Sequence, residues 1–195
     1  MNKKRDRWSD TEESIEDLRF KLLERRIILK LRMNAHDEAI SECYKALEKF
    51  GQHETNSDIS AHRKGMILSN LAIAIAAKYE VEEDCTLKEQ YRYHAEKFLN
   101  DSIKLWQKLG DDYNLCVIRL HKADFEFDCD GKSASWFKKY RRIATKIKNN
   151  DGKLFQVLYA EMLVQMVDRY CSADVFDDCG MSYRIASKYL DKVGQ

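Results

Sequence analysis

The segment LNDSIKLWQKLG, residues 99–110, has two counterparts later in the chain, RRIATKIKNNDG at 141–152 and YRIASKYLDKVG at 183–194. The segments start 42 residues apart. Each has a small residue at its fourth position, an aliphatic or aromatic residue three positions later and a closing glycine. Repeats of about 40 residues with two helices per copy bury their apolar faces by stacking. The spacing therefore predicts a repeated helix-turn-helix unit.

The composition is that of a folded helical protein. Apolar residues make up 44% and charged residues 34% of the 195 residues, which argues against a disordered chain. The sequence contains no proline, so no proline breaks a helix from within. The seven glycines fall mostly where helices are expected to end. We therefore expect an all-α fold.

Apolar residues that recur at helical spacing predict eight helices joined by short turns. At the start of the fourth helix, Thr86 and Glu89 have the spacing of a capping box. The run of Ala and Ile at 71–77 predicts that the third helix packs on more than one side. The predicted helices span about 10–33, 37–50, 59–79, 86–109, 113–129, 133–149, 153–170 and 174–193.

These helices form four antiparallel hairpins, because the connections between them are short. We expect one domain over residues 9–195, preceded by the basic tail MNKKRDRW at 1–8. Periodicity does not determine how the hairpins stack. A compact helical bundle is therefore the alternative to a repeat array.

The charge balance bears on partners and location. With 34 Lys and Arg against 33 Asp and Glu, the net charge of +1 gives no overall field that attracts nucleic acid or an anionic membrane. No apolar run reaches the 18 residues of a membrane span, and residues 1–7 lack the apolar stretch of a secretory signal. We expect a cytoplasmic protein without a membrane partner.

The residues of catalytic and metal sites do not form recognisable patterns. The six cysteines include no CxxC pair, so free buried thiols are expected rather than a zinc site. The five histidines are dispersed, and no nucleophile elbow, phosphate-binding loop or HExxH motif is present. Acid pairs such as Asp111 and Asp112 lie at expected helix starts, where they act as caps. We predict no catalytic residue, metal site or cofactor.

The second helix resembles the second helix of a tetratricopeptide repeat, with small residues Ala39 and Ala46 seven positions apart. The segment SNLA at 69–72 is similar to the start of many first helices in this family, and LGDD at 109–112 to the junction of its longer variants. The chain departs from the family in lacking its closing proline and in an insertion between Ala72 and Ala95. The resemblance implies a right-handed α-solenoid of about four hairpins.

In this family the first helix of each hairpin lines a concave groove that binds a peptide or a partner helix. The resemblance therefore implies a non-catalytic scaffold or adaptor for a protein or peptide partner. The positions that it assigns to the groove are Lys21, Glu24, Ile28, Arg32, Ser69, Asn70, Ile73, Ala77, Asp124, Phe127, Asp128, Glu161 and Gln165.

One subtype of the family binds the acidic carboxyl terminus of chaperones through Lys, Arg or Asn side chains. The corresponding positions here are Glu24, Ile28, Asn70, Val117 and His121. Only Asn70 has the required type, and Glu24 repels a carboxylate. Binding of a chaperone tail is therefore disfavoured.

A basic segment offers a second candidate surface. Lys138, Arg142 and Lys146 follow each other at intervals of four on the sixth helix and form a stripe with Lys139 and Arg141. The stripe suits phosphates or an acidic partner, although a solvated face explains it equally well and nucleic acid is an unlikely partner. A nucleic-acid- or phosphate-responsive regulator is one alternative function, and a peptide-sensing regulator is another.

The last predicted helix carries more apolar surface than a capping helix should. It contains Tyr183, Ile185, Ala186, Tyr189 and Leu190. We therefore predict that the chain can form a homo-oligomer through this helix.

Overall fold

The computed structural model describes the backbone of residues 6–51, 58–130, 134–149 and 153–172, and side chains within 15–50, 58–129, 139–140, 142–149 and 154–166. These residues confirm the all-α prediction. The described helices are α1 (Asp6–Arg32), α2 (His36–Gly51), α3 (Asp58–Val81), α4 (Cys85–Leu109), α5 (Asp112–Asp130), α6 (Ala134–Lys148) and α7 (Lys153–Ser172). The predicted eighth helix and its self-association surface lie outside the described residues.

The chain divides into two compact units, Met1–Leu109 and Gly110–Gln195. In the first unit, α1 contacts α2 and α3, and α3 also contacts α2 and α4. In the second unit, α5, α6 and α7 all contact one another. Helices thus pack mostly against their neighbours in sequence. None of the described helices is both long enough and apolar enough to cross a membrane.

Helix α3 is the centre of the first unit. Its residues Ile67, Leu71 and Ala74 are at most 2% exposed. Three helices pack around it, which confirms the prediction that it is covered on more than one side. On α2 the side chains of Ala39 and Ala46 are small and buried. They allow the backbone of α2 to approach its neighbouring helices closely.

A buried polar cluster joins α3 to α4. The Ser69 hydroxyl donates to the Gly65 carbonyl at 2.9 Å. Its oxygen accepts from Trp106 Nε1 at 3.0 Å and lies 2.7 Å from the Ser102 hydroxyl. Since the Ser69 proton is already used, Ser102 is the donor in that pair. Every hydrogen-bonding position of the Ser69 hydroxyl is therefore occupied.

Helix ends follow recognisable capping rules, with one correction to the sequence analysis. The Asp84 carboxylate accepts from the amides of Thr86 at 2.8 Å and Leu87 at 3.0 Å, so Asp84 caps α4 and the predicted cap at Thr86 is wrong. The aspartate that caps the helix lies two residues before Thr86. At α5 the predicted cap is confirmed, because Asp111 accepts from the Asn114 amide at 3.0 Å.

Two residues in the left-handed region end helices. Gly110 closes α4 with a φ of 68°, as the repeat pattern predicts. Asn34 has a φ of 58° after α1, and the Ala35 amide donates to the Lys30 carbonyl at 2.9 Å. This pair of features sets the short turn between α1 and α2.

The second unit has its own core. Leu120 of α5, Tyr140 and Ile147 of α6, and Met162 of α7 are each at most 5% exposed and pack in one cluster. Leu120 and Met162 are also 42 residues apart in the sequence. Equivalent positions of the sequence repeat thus contribute to the same core.

Candidate functional site

The predicted groove positions of the first unit lie on α1 and α3, which contact each other. Lys21 and Arg32 are exposed, whereas Glu24 and Ile28 are half-buried. Burial raises the pKa of Glu24, and the nearby positive charges of Arg25 and His62 oppose that rise. Thus Glu24 of α1 lies near the third helix, in partial shelter from solvent.

The groove positions on α3 are more enclosed. Asn70 is buried, and Ile73 and Ala77 are half-buried. Ser69 is turned toward α4, where its hydroxyl forms the polar cluster with Ser102. The structure therefore uses Ser69 to join two helices, and its oxygen has no hydrogen-bonding position left for a ligand.

In the second unit the predicted positions have mixed environments. Phe127 belongs to the core cluster, Asp124 and Asp128 are half-buried, and Glu161 is exposed. Gln165 is also exposed, and its side-chain oxygen accepts a hydrogen bond from the Tyr140 hydroxyl at 2.9 Å. Gln165 thereby links α7 to the core of this unit.

The chaperone-tail hypothesis gains no support from His121. The ring is surrounded by protein, although the residue keeps some accessible surface, and this burial lowers the pKa of His121 to about 4. The imidazole is therefore neutral near pH 7 and supplies no charge to a terminal carboxylate.

The basic stripe on α6 is partly engaged within the protein. Lys139 forms an ion pair with Glu126 of α5 at 2.7 Å. Arg142 and Lys146 are exposed and one helical turn apart. The side chains of Lys138 and Arg141 lie outside the described residues.

Several large apolar side chains are exposed along one face of α1 and at the residue that follows it. Ile15, Leu18, Leu22 and Leu29 of α1 and Met33 directly after it are 47 to 70% exposed and follow helical spacing. We call these five residues the α1 row. A different face of α1 carries the buried residues. The sequence does not predict this exposed row, because periodicity alone does not tell which of two apolar faces of a helix is covered.

A groove of about 540 Å³ runs beside the α1 row, between α1 and α2. Its deeper part is apolar, since Ala46 and Phe50 are buried and Leu23 is half-buried. Its outer part is basic and exposed. The residues that line it are Arg19, Leu22, Leu23, Arg26, Glu42, Lys45, Ala46, Lys49 and Phe50. We call this feature the α1–α2 groove.

Arg63 of α3 supports the groove from inside. Its guanidinium lies 5.6 Å from the ring centre of Phe20 on α1 and 5.9 Å from that of Phe50 on α2. The same group lies 3.8 Å from the Asp17 carboxylate and 4.0 Å from that of Glu16. Arg63 thus ties three helices together beneath the groove, by cation–π contacts that sequence spacing does not reveal.

The described cysteines and the residues that could ligate a metal were the other candidates for chemistry. No group of three His, Cys, Asp or Glu side chains among them could hold a metal ion. Burial raises the pKa of the Cys43 thiol to about 12 and also raises that of Cys116. Cys85 is exposed, so the prediction of buried thiols is wrong at that position, which lies at the start of α4.

No protein-family model, curated protein or solved structure matches this chain. The α1 row and the adjacent α1–α2 groove form the surface with the clearest capacity for binding.

Proposed function

We propose that this chain is a non-catalytic protein-interaction module that acts as a scaffold or adaptor. The α1 row is the observation that carries the proposal, because five large apolar side chains are 47 to 70% exposed on one helix face. Several exposed apolar side chains on one helix face are typical of a site of protein–protein contact. A partner that covers the row removes the apolar area from water, which is the main source of affinity in such contacts.

The proposal includes a right-handed, tetratricopeptide-like solenoid as the fold. Two observations support it. The first helices of successive predicted hairpins contact each other within each unit, α1 with α3 and α5 with α7. Ala39 and Ala46, which carry the resemblance, are 0% and 1% exposed. Stacked hairpins present helix faces and grooves to partners, and the concave positions on α1 and α3 remain a second surface for them.

Affinity purification from native cells tests the proposal when wild type is compared with two double variants. Leu18→Ser with Leu22→Ser removes apolar surface from the α1 row. Ile59→Ser with Leu87→Ser removes exposed apolar surface elsewhere and is the matched control. We expect wild type and control to retain a protein partner after nuclease treatment, and the α1 variant to lose it. Retention by all three proteins contradicts a role for the row.

A phosphate- or nucleic-acid-responsive regulator is the second candidate function. The exposed pair Arg142 and Lys146 on α6 supports it. If this candidate is right, Arg142→Glu with Lys146→Glu weakens oligonucleotide binding, whereas Lys104→Glu with Lys108→Glu leaves it unchanged. Equal effects of the two reversals, or no binding by wild type, contradict this candidate.

A further inference from the structure

Among the described residues, the exposed charges that flank the α1 row are positive. Arg19 and Arg26 lie along the edge that faces α2, and Arg25 and Arg32 lie along the other edge. All four arginines are exposed. The α1–α2 groove adds two further exposed cations, Lys45 and Lys49.

The described acidic side chains of α1 are directed elsewhere. Asp17 forms an ion pair with Lys21 and lies near Arg63, and Glu16 also lies near Arg63. Glu24 is half-buried, and Arg25 of α1 and His62 of α3 both act on the pKa of its carboxyl. The acid that lines the groove, Glu42, forms an ion pair with Arg26. The described carboxylates of α1 thus lie away from the row, and Glu42 is the one acid among the residues that line the groove.

We propose that the α1 row and the α1–α2 groove together bind an acidic amphipathic helix of a partner protein. This inference rests on the proposed interaction function and specifies the partner's chemistry. Apolar side chains of the partner, spaced three or four residues apart, pack against Leu18, Leu22 and Leu29. Its flanking carboxylates meet Arg19, Arg25 and Lys45, which set register and speed association.

Two other occupants fit the charge pattern less well. If the row of one chain packed against the row of a second copy, the flanking arginines of the two chains would lie close together and repel each other. A bilayer favours a continuous apolar face with aromatic residues at its border. None of the five described residues of the α1 row is aromatic, and the groove beside the row is concave and about 540 Å³ in volume. A helix whose side chains enter a groove matches this shape.

Selection from a peptide library tests the inference even though the partner is unidentified. The probe is a display library of helix-forming peptides of about 20 residues, because the row from Ile15 to Met33 spans about 27 Å at the rise of a helix. Selected peptides are measured against wild type, Leu18→Ser with Leu22→Ser, and Arg19→Glu with Lys45→Glu. The controls are Ile59→Ser with Leu87→Ser and Lys104→Glu with Lys108→Glu, and circular dichroism verifies that each variant is folded.

We expect the selected peptides to carry Leu, Ile or Met at helical spacing, flanked by Asp and Glu. Their Kd should rise about tenfold or more with either α1 variant and stay within about twofold with the controls. Their affinity should also fall as salt is raised.

Three other outcomes overturn the inference. Basic or neutral peptides that depend on the α1 row contradict an acidic partner and leave the proposed interaction function intact. Peptides that are insensitive to the α1 variants contradict both proposals for this face. If no peptide is enriched, binding to phosphatidylserine vesicles or dimerisation in light scattering, lost in the α1 variants, assigns the row to a membrane or to a second copy.

Discussion

A Cβ atom on Gly65 of α3 would lie 2.7 Å from Cζ2 of Trp106 on α4. Trp106 is 0% exposed, so the indole has no space into which it can withdraw. The helix interior normally disfavours glycine, and here the close approach of the ring requires it. The close packing of α3 against α4 thus requires a residue without a side chain at position 65.

We predict that Gly65→Ala destabilises the protein even though alanine is the better helix former. The substitution gains about 1 kcal/mol in helix propensity. Overpacking against a rigid ring costs about 1–3 kcal/mol or more, and at 2.7 Å the clash should outweigh the gain. The urea midpoint should fall, whereas the adjacent exposed control Lys64→Ala should leave it nearly unchanged. An unchanged or higher midpoint for Gly65→Ala means that Trp106 relocates freely.

The polar cluster between α3 and α4 predicts unequal effects of two similar substitutions. Ser69→Ala removes the oxygen that accepts from Trp106 Nε1 and leaves that donor buried, at a cost of about 1–3 kcal/mol. Ser102→Ala removes only one donor to Ser69 and should cost less. Urea unfolding of both single variants and the double variant measures their coupling. Additive and equal effects contradict the assigned donor pattern.

Replacement of Arg63 should lower the free energy of unfolding. Arg63→Lys keeps the positive charge but loses the planar group that lies over Phe20 and Phe50, so we expect a loss of about 1–2 kcal/mol. Hydrogen exchange should become faster in α1 and α2, the helices that Arg63 ties to α3. Lys108→Arg is the control for a Lys–Arg exchange at an exposed position. Unchanged exchange in α1 and α2 contradicts the role of Arg63.

His121 gives the stability a pH dependence of predictable sign. Because its pKa is lowered to about 4 in the folded state, the unfolded chain takes up this proton first as the pH falls below about 6.5. The unfolded state then binds more protons, so stability decreases between about pH 6.5 and 4. His121→Gln should flatten this part of the profile relative to wild type, and His94→Gln, at an exposed position, should not. Identical slopes in all three proteins contradict a buried neutral His121.

The sequence predicted the helices well because local spacing and capping determine them. Gly110 ends α4 and Asp111 caps α5, both as predicted. A glycine with positive φ and an aspartate at an N-cap depend only on the residues next to them in the sequence. The predicted capping residue was wrong where the sequence offers two candidates. At α4 the cap is Asp84 and not Thr86.

The candidate site was harder to predict because exposure is a tertiary property. Leu22 and Ile27 have equal apolar character in the sequence, yet Leu22 is 70% and Ile27 is 1% exposed. Which face of α1 is covered depends on how α2 and α3 pack against it. The family resemblance predicted a site at the concave positions, which include Ser69. The Ser69 hydroxyl instead contacts Ser102 in the interface with α4.

The central claim is that α1 binds a partner protein through its exposed row. Its most direct test is a photo-crosslinking amino acid placed at Leu22 in living cells, with the same amino acid at Leu87, an exposed leucine of α4, as the matched control. The account predicts a specific crosslinked protein from position 22 and none from position 87. No crosslink at position 22, or the same products from both positions, contradicts it.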